Sequence, residues 1–434
     1  MNSLLVRCGL ALAVVCLPAF AQKEAPSVIT VDEAQPTARI TDVVYSKKHP
    51  EHMLLGPAQM RAFYHFNGVR NMGEGQTIAI IGAHHNPVIE HDLMVFSSRF
   101  GLPQCSFKNK CLTQVAVQSG DPSHWKPTLG ATPNDDGKPH SYGEEEMDME
   151  WAHAMAPAAH LMLVEGMTGS WSDYNLCVKA ALEHGATVVS LSLAEPERAD
   201  HKQLYLDNEK FYSDNRAVYV AAGGDHAHTA RWPASLPEVV GVGGTTITTN
   251  EMGERLGEVA WTKKSDKEHA TGTGGGTSLA VKEPQAQLAY GLPGDELHMR
   301  GTPDVALYAT GKIGIAVYNS NVNPEGGEAP LWHQSGGTSA GAPMWAGILA
   351  TANSMRVQQG KKPLSQFESK EFGSGTLAAL YSVGKSTPSA FMDITEGTNG
   401  DCGDECKAGP GYDYLTGLGV PNGKVMLEAL AALP

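Results

Sequence analysis

Short apolar runs and amphipathic stretches take turns along the first three quarters of the chain. QTIAIIGA (76–83), HLMLVEG (160–166), ATVVSLSLA (186–194), RAVYVAAGGD (216–225) and EVVGVGGTTI (238–247) are short and β-rich, so they predict strands. Between them, YNLCVKAALEHG (174–185) and LDNEKFYSDN (206–215) read as helices. Strands that are apolar throughout need cover on both faces. The alternation therefore predicts an α/β fold, a parallel sheet with helices on both faces, whose functional residues collect at the carboxyl ends of strands. Glycine-rich stretches, TGTGGGTS (271–278) and HQSGGTSAGAP (333–343), fall between regular elements, where backbone must approach a ligand or another segment closely.

The N-terminus breaks this pattern. LLVRCGLALAVVCLPAFA (4–21) carries one arginine, is too short for a membrane span, and ends in Ala19-Phe20-Ala21, which signal peptidases accept. Residues 1–21 are expected to be a signal peptide sending the product to the periplasm or the medium, followed by a short N-terminal segment (22–52). Val15 precedes Cys16 where lipid attachment needs a small residue, so no membrane anchor is expected. Residues 53–434 contain no linker rich in proline and serine and are expected to form one unit, a monomer. A net charge of −15 with no cluster of basic residues argues against nucleic acid as a partner.

Of seven cysteines, Cys8 and Cys16 would leave with the signal. Cys105 and Cys111, and Cys402 and Cys406, are spaced for local disulfides in an oxidising compartment, with buried thiols as the alternative. Neither pair has a second pair at zinc spacing. Cys177 falls on the apolar face of a helix as a small core residue.

Two segments carry candidate chemistry. Gly337-Thr338-Ser339-Ala340-Gly341-Ala342-Pro343 precedes the apolar helix MWAGILATANSM, which places the Ser339 hydroxyl beside backbone N–H groups and the positive end of a helix. The same pattern suits a simple N-cap serine equally well, and a nucleophile needs a base. A histidine base would require an aspartate after the first strand and an HGT segment; Ile80-Ile81-Gly82-Ala83-His84-His85 has no such aspartate, and no HGT occurs. His84, His85, His226 and His228 read as surface loop residues. GEEEMDMEWAHAMAP (143–157) instead reads as a helix with Glu144 and Asp148 four apart on one face. Glu145 and Glu146 fit a solvated acidic helix start, whereas Met147, Met149 and Trp151 make the remainder apolar. Two carboxyls held together on a buried helix acquire separated pKa values, as general-base chemistry requires.

These residues resemble the sedolisins, or serine-carboxyl peptidases, whose catalytic helix follows E-x-x-x-D-[aliphatic]-E. VYVAAGGDHAH offers Asp225 where the family carries an aspartate after a strand. WPASLPEVVGVGGTT matches a downstream family segment, and SGGTSAGAP matches the serine segment at Ser339. The resemblance runs from about residue 55 to the C-terminus and implies a subtilisin-like fold. It implies Ser339 as nucleophile, Glu144 as general base, Asp148 as the carboxyl that tunes it and Asp225 as oxyanion donor. FMDITEGTNG and AGPGYDYLTGLGVP resemble the family's C-terminal calcium loop, implying one structural Ca2+ held by the carboxylates of Asp393 and Asp413 and the carbonyls of Ile394, Gly409 and Gly411.

The expected function is that of an acid-acting endopeptidase on protein or peptide substrates. The alternatives are a tripeptidyl exopeptidase of the same family and a catalytically silent peptide binder. Three departures stand out. The 22–52 segment is too short for the family's large prodomain, so activity without a large cleavage event is expected; Gly82 stands where some members place an acid; and SLSLAEPE lacks an aromatic that some relatives carry.

Overall fold

The computed structural model describes residues 44–45, 53–117, 143–166, 169–227, 229–250, 254–262, 271–294, 297–311, 313–320 and 331–434. The expected signal peptide and most of the 22–52 segment lie outside these residues, as does His228.

The strands that position the site are β1 (Thr77–Ala83), β2 (Leu112–Val117), β3 (His160–Gly166), β4 (Val188–Leu191), β5 (Val218–Ala222), β6 (Val239–Thr249), β7 (Arg255–Ala260) and β8 (Val305–Gly311). They make one sheet in the order β2-β3-β1-β4-β5-β6, with β7 and β8 both paired to β6. Every pairing is parallel except that of β7 with β6. All five strands predicted from the apolar runs are central to it. The flanking β2 and β7 escape prediction because polar residues interrupt their runs, LTQVAV and RLGEVA, whereas β8, VALYATG, is an apolar run of strand length outside the predicted set.

The pleat sorts side chains between two cores. Ile78, Ile80, Leu161, Leu163, Val188, Val218 and Val220 face one layer. Their alternates Ala79, Ile81, Met162, Val164, Val189, Tyr219 and Ala221 face the other. Helices α1 (Ile89–Phe100), α2 (Gly143–Met155) and, much later in the chain, α4 (Thr338–Gln358) cover the first face, while α3 (Trp171–Glu183) covers the second. Both faces are dry, which is why the strands carry no polar alternation.

Helix α4 is buried along nearly its whole length, as its apolar circumference demands. It lies tightly against α2: a Cβ at Gly347 would stand 2.8 Å from Met155 Cβ and 3.1 Å from the Ala152 carbonyl. Glycine there lets the two helices that carry the candidate serine and acids approach. Buried polar groups fix the register of this layer. Trp151 Nε1 donates to the Ala316 carbonyl and Trp345 Nε1 to that of Ala306. Arg356, near the end of α4, donates to the carbonyls of Leu430, Leu433 and Pro434, satisfying the C-terminal end of the last helix, Gly423–Ala432. Disulfides join Cys105 to Cys111 and Cys402 to Cys406, while Cys177 is a buried free thiol. Among the described residues no helix is long and apolar enough to cross a membrane.

Candidate active site

The turn before α4 is built around Gly337, whose φ of 84° is a left-handed conformation that glycine adopts without strain. Any Cβ at this position would also fall 2.5 Å from Asp225 Oδ2. Asp225 follows β5 and leans across this turn. Its Oδ1 accepts hydrogen bonds from the Thr338 backbone N–H at 2.9 Å and the Thr338 hydroxyl at 2.8 Å. The Thr338 hydroxyl in turn accepts from the Gly224 N–H at 2.9 Å. One threonine thus locks the carboxyl-end turn of β5 to the N-terminus of α4. That places Asp225 Oδ2 beside the Ser339 turn, with Oδ1 already occupied as an acceptor.

Ser339 is the second residue of α4 and Glu144 the second of α2. The Ser339 side chain is hydrogen-bonded to Glu144. Although the edge of Glu144 is exposed, the protein packed around its carboxyl pushes its pKa up to about 7. The Ser339 bond opposes that rise, and the negative charge of Asp225 adds to it. Asp148, one turn further along α2, is fully buried and lies well above the ordinary carboxyl range, first by burial and then by the charge of Glu144. The structure brings all four sequence-predicted residues, Glu144, Asp148, Asp225 and Ser339, together near the carboxyl ends of β4 and β5.

The expectation of a solvated start to α2 is corrected. Glu145 and Glu146 are both buried. Glu145 Oε1 accepts from the Ala83 N–H at 3.1 Å, and any side chain at Gly82 would overlap it. Glu146 Oε1 accepts from Asn86 Nδ2 at 2.9 Å, and burial pushes its pKa up to about 8. They turn inward because the loop after β1 supplies donors there, a tertiary fact absent from the local sequence. His85 is likewise no surface residue: its Nδ1 lies 3.1 Å from the buried carboxylate of Glu165, which also accepts from the Asn86 N–H and Gln114 Nε2.

The segment around Ser278 runs beside the Asp225 loop, with the Gly272 N–H on the Asp225 carbonyl at 3.0 Å and the Gly274 N–H on that of Gly224 at 2.7 Å. The Ser278 hydroxyl itself is buried on Glu197. A cavity of about 560 Å³ opens beside it, with Thr229, Gly276, Leu279 and Leu297 in its lining.

The five predicted calcium ligands lie on two neighbouring segments, 393–394 and 409–413, joined by hydrogen bonds. Asp393 Oδ2 accepts from the Gly411 N–H at 2.8 Å and Asp413 Oδ2 from the Gly409 N–H at 3.2 Å, while Ile394 is buried next to Asp393. Among the described residues no three His, Cys, Asp or Glu side chains cluster to hold a metal, so ligation here would depend on backbone carbonyls. The donor set fits a hard cation: it is all oxygen, and burial pushes Asp413 up to about 6 with no basic side chain offsetting its charge.

A subtilisin-like sheet with a serine at the start of the central helix and carboxyls in place of a histidine defines a class of hydrolase scaffold. Comparison with known proteins agrees. The family model described as "Subtilase family" (Peptidase S8) matches residues 129–367. Sedolisin from Pseudomonas sp. (strain 101) is 34% identical over 194 residues, 44% of this chain and 29% of its own length. Kumamolisin from Bacillus sp. (strain MN-32) is 31% identical over 323 residues, 69% of this chain and 53% of its own length. Tripeptidyl-peptidase 1 from Dictyostelium discoideum is 25% identical over 393 residues, 81% of this chain and 54% of its own length. The solved structure of Pseudomonas sedolisin, a serine-carboxyl proteinase complexed with pseudo-iodotyrostatin, superposes with a TM-score of 0.68 at 22% identity over 86% of this chain and 97% of that one. The chain belongs to the subtilase family, in its sedolisin branch. It spans about half the length, or less, of the curated relatives it matches.

Sequence reasoning missed Thr338 and Ser192. Thr338 sits inside the matched serine segment, and its signal was only adjacency to Ser339. Ser192 directly follows β4 and continues its alternation, two residues beyond Ser190.

Proposed function

We propose that the protein is an acid-acting serine-carboxyl endopeptidase that cleaves protein or peptide substrates as a monomer, outside the cytoplasm. The observation that carries this reading is the Ser339 side chain bonded to a carboxyl, Glu144, whose pKa burial has raised. A carboxyl held above its ordinary range is a better base than a free one. In the proposed reaction Ser339 Oγ attacks the scissile carbonyl and Glu144 takes its proton. The amine leaves with a proton returned by Glu144, and water activated by the same carboxyl releases the acyl group from Ser339. Asp225, neutral, donates from Oδ2 to the oxyanion beside the Ser339 backbone N–H. Asp148, one turn further along α2, orients Glu144.

Turnover then needs Glu144 ionised and Asp225 protonated. The ascending limb of the pH profile belongs to Glu144, whose pKa is raised above the ordinary carboxyl value by burial. At the C-terminal loop, Asp393 and Asp413 with the carbonyls of Ile394, Gly409 and Gly411 would hold one structural Ca2+, whose charge would balance the two carboxylates.

The test is turnover of a long unstructured protein in acid. Ser339→Ala and Glu144→Gln should each abolish it with melting unchanged. Residual activity above about 1% of wild type in either variant overturns the assignment. Internal fragments among the products support endo-cleavage, whereas tripeptides released only from the N-terminus would move the protein to the exopeptidase alternative.

A further inference from the structure

Helix α4 contains a proline four residues after Ser339. In an α-helix the N–H of residue i+4 bonds the carbonyl of residue i, and Pro343 has no N–H to give. The carbonyl of the nucleophile therefore lacks its helical partner. The Ser192 hydroxyl fills the gap, donating to the Ser339 carbonyl at 3.1 Å. Strand alternation explains how it gets there. Val189 and Leu191 of β4 point to the α3 face, so Ser190 and Ser192 point to the face where α2 and α4 lie.

From α2, the Asp148 carboxyl reaches the same hydroxyl. We propose that Ser192 is a positioning residue of the catalytic set, tying the backbone of the nucleophile to the carboxyl that orients the base. The proposal rests on Ser339 being the nucleophile. A serine hydroxyl has one hydrogen. With that hydrogen on the Ser339 carbonyl, Ser192 can only accept from Asp148, and Asp148 must be the neutral acid. Ionisation of Asp148 would pull the hydrogen towards the carboxylate and release the Ser339 carbonyl. The nucleophile's backbone is thus held best when Asp148 is protonated. The titratable groups bearing on this contact are Asp148 and Glu144 from α2 and Asp225 from the turn after β5. The residues of α4 from Thr338 to Met355 carry no charge, and β1 is uncharged along its length.

The experiment compares Ser192→Thr with Ser192→Val, side chains of the same shape that differ by the hydroxyl. Their kcat, KM and pH profiles are measured alongside melting, with wild type and Ser339→Ala as controls. The expected result is that Ser192→Thr stays within about threefold of wild type. Ser192→Val should lose about tenfold in kcat, the worth of one neutral hydrogen bond, with KM unchanged. Its pH profile should also change shape, while that of Ser192→Thr keeps the wild-type form. Equal kcat in the two variants, or a loss in both that follows only their melting, overturns the proposal. Activity retained in Ser339→Ala would instead overturn the assignment of Ser339 as nucleophile.

Discussion

Replacing Asp225 separates its two jobs. Oδ1 accepts from the Thr338 N–H at 2.9 Å and hydroxyl at 2.8 Å, and Oδ2 occupies the space that glycine leaves at 337. An asparagine can keep both acceptor contacts through its carbonyl oxygen and place its amide nitrogen where Oδ2 stands. It would then donate to the oxyanion at every pH. Asp225→Ala removes the donor and leaves the Thr338 N–H without its partner. Loss of one oxyanion donor costs about 2.7–4 kcal/mol, or about 10²–10³ in kcat. We expect that loss for the alanine variant and a smaller one for the asparagine. The asparagine variant should keep its activity further towards neutral pH, because its amide donates whatever the pH. The assay is kcat/KM on one peptide substrate from about pH 2 to 9, a range that brackets carboxyl and histidine titrations. Equal impairment of both variants at every pH, or a descending limb that stays in place in Asp225→Asn, would refute the assignment of Asp225 as a protonated donor.

The raised pKa of Glu146 also makes stability depend on pH. Its folded value, about 8, exceeds the ordinary 4.5, so its contribution is complete below 4.5 and lost as pH rises through about 8. The denaturation midpoint should fall across that window and fall less in Glu146→Gln; an equal slope in both would count against the buried carboxyl. Calcium at one hundred times its dissociation constant should add about 2.7 kcal/mol to unfolding, and chelation should remove it. That increment should shrink below about pH 6, where the proton competes for Asp413, whereas a melting temperature indifferent to chelator would remove the site. Gly347→Ala forces a Cβ to within 2.8 Å of Met155 Cβ. Overpacking of this kind costs about 1–3 kcal/mol, and kcat should fall as well because α2 and α4 carry the base and the nucleophile. A destabilised variant with full kcat would show that the two helices tolerate separation.

Much of the molecule was legible in the chain because its information is local. Apolar runs of strand length gave the five central strands. Glu144 and Asp148 share a helix face through their spacing alone, and Gly337 marks the one turn before α4 that needs a left-handed backbone. Composition and spacing also pointed to both disulfides. The residues that escaped are those whose meaning depends on a distant segment. Glu145 and Glu146 look like a solvated helix start, yet the loop after β1 supplies donors that draw them inward. Thr338 matters only because Asp225, more than a hundred residues earlier, folds across it. Ser192 matters only because a proline in another helix leaves one carbonyl unpaired. By itself the sequence determined the periodicities and the residue types capable of the chemistry. The tertiary structure decided which buried polar group meets which partner, because a desolvated donor or acceptor must be satisfied by whatever the packing brings within reach.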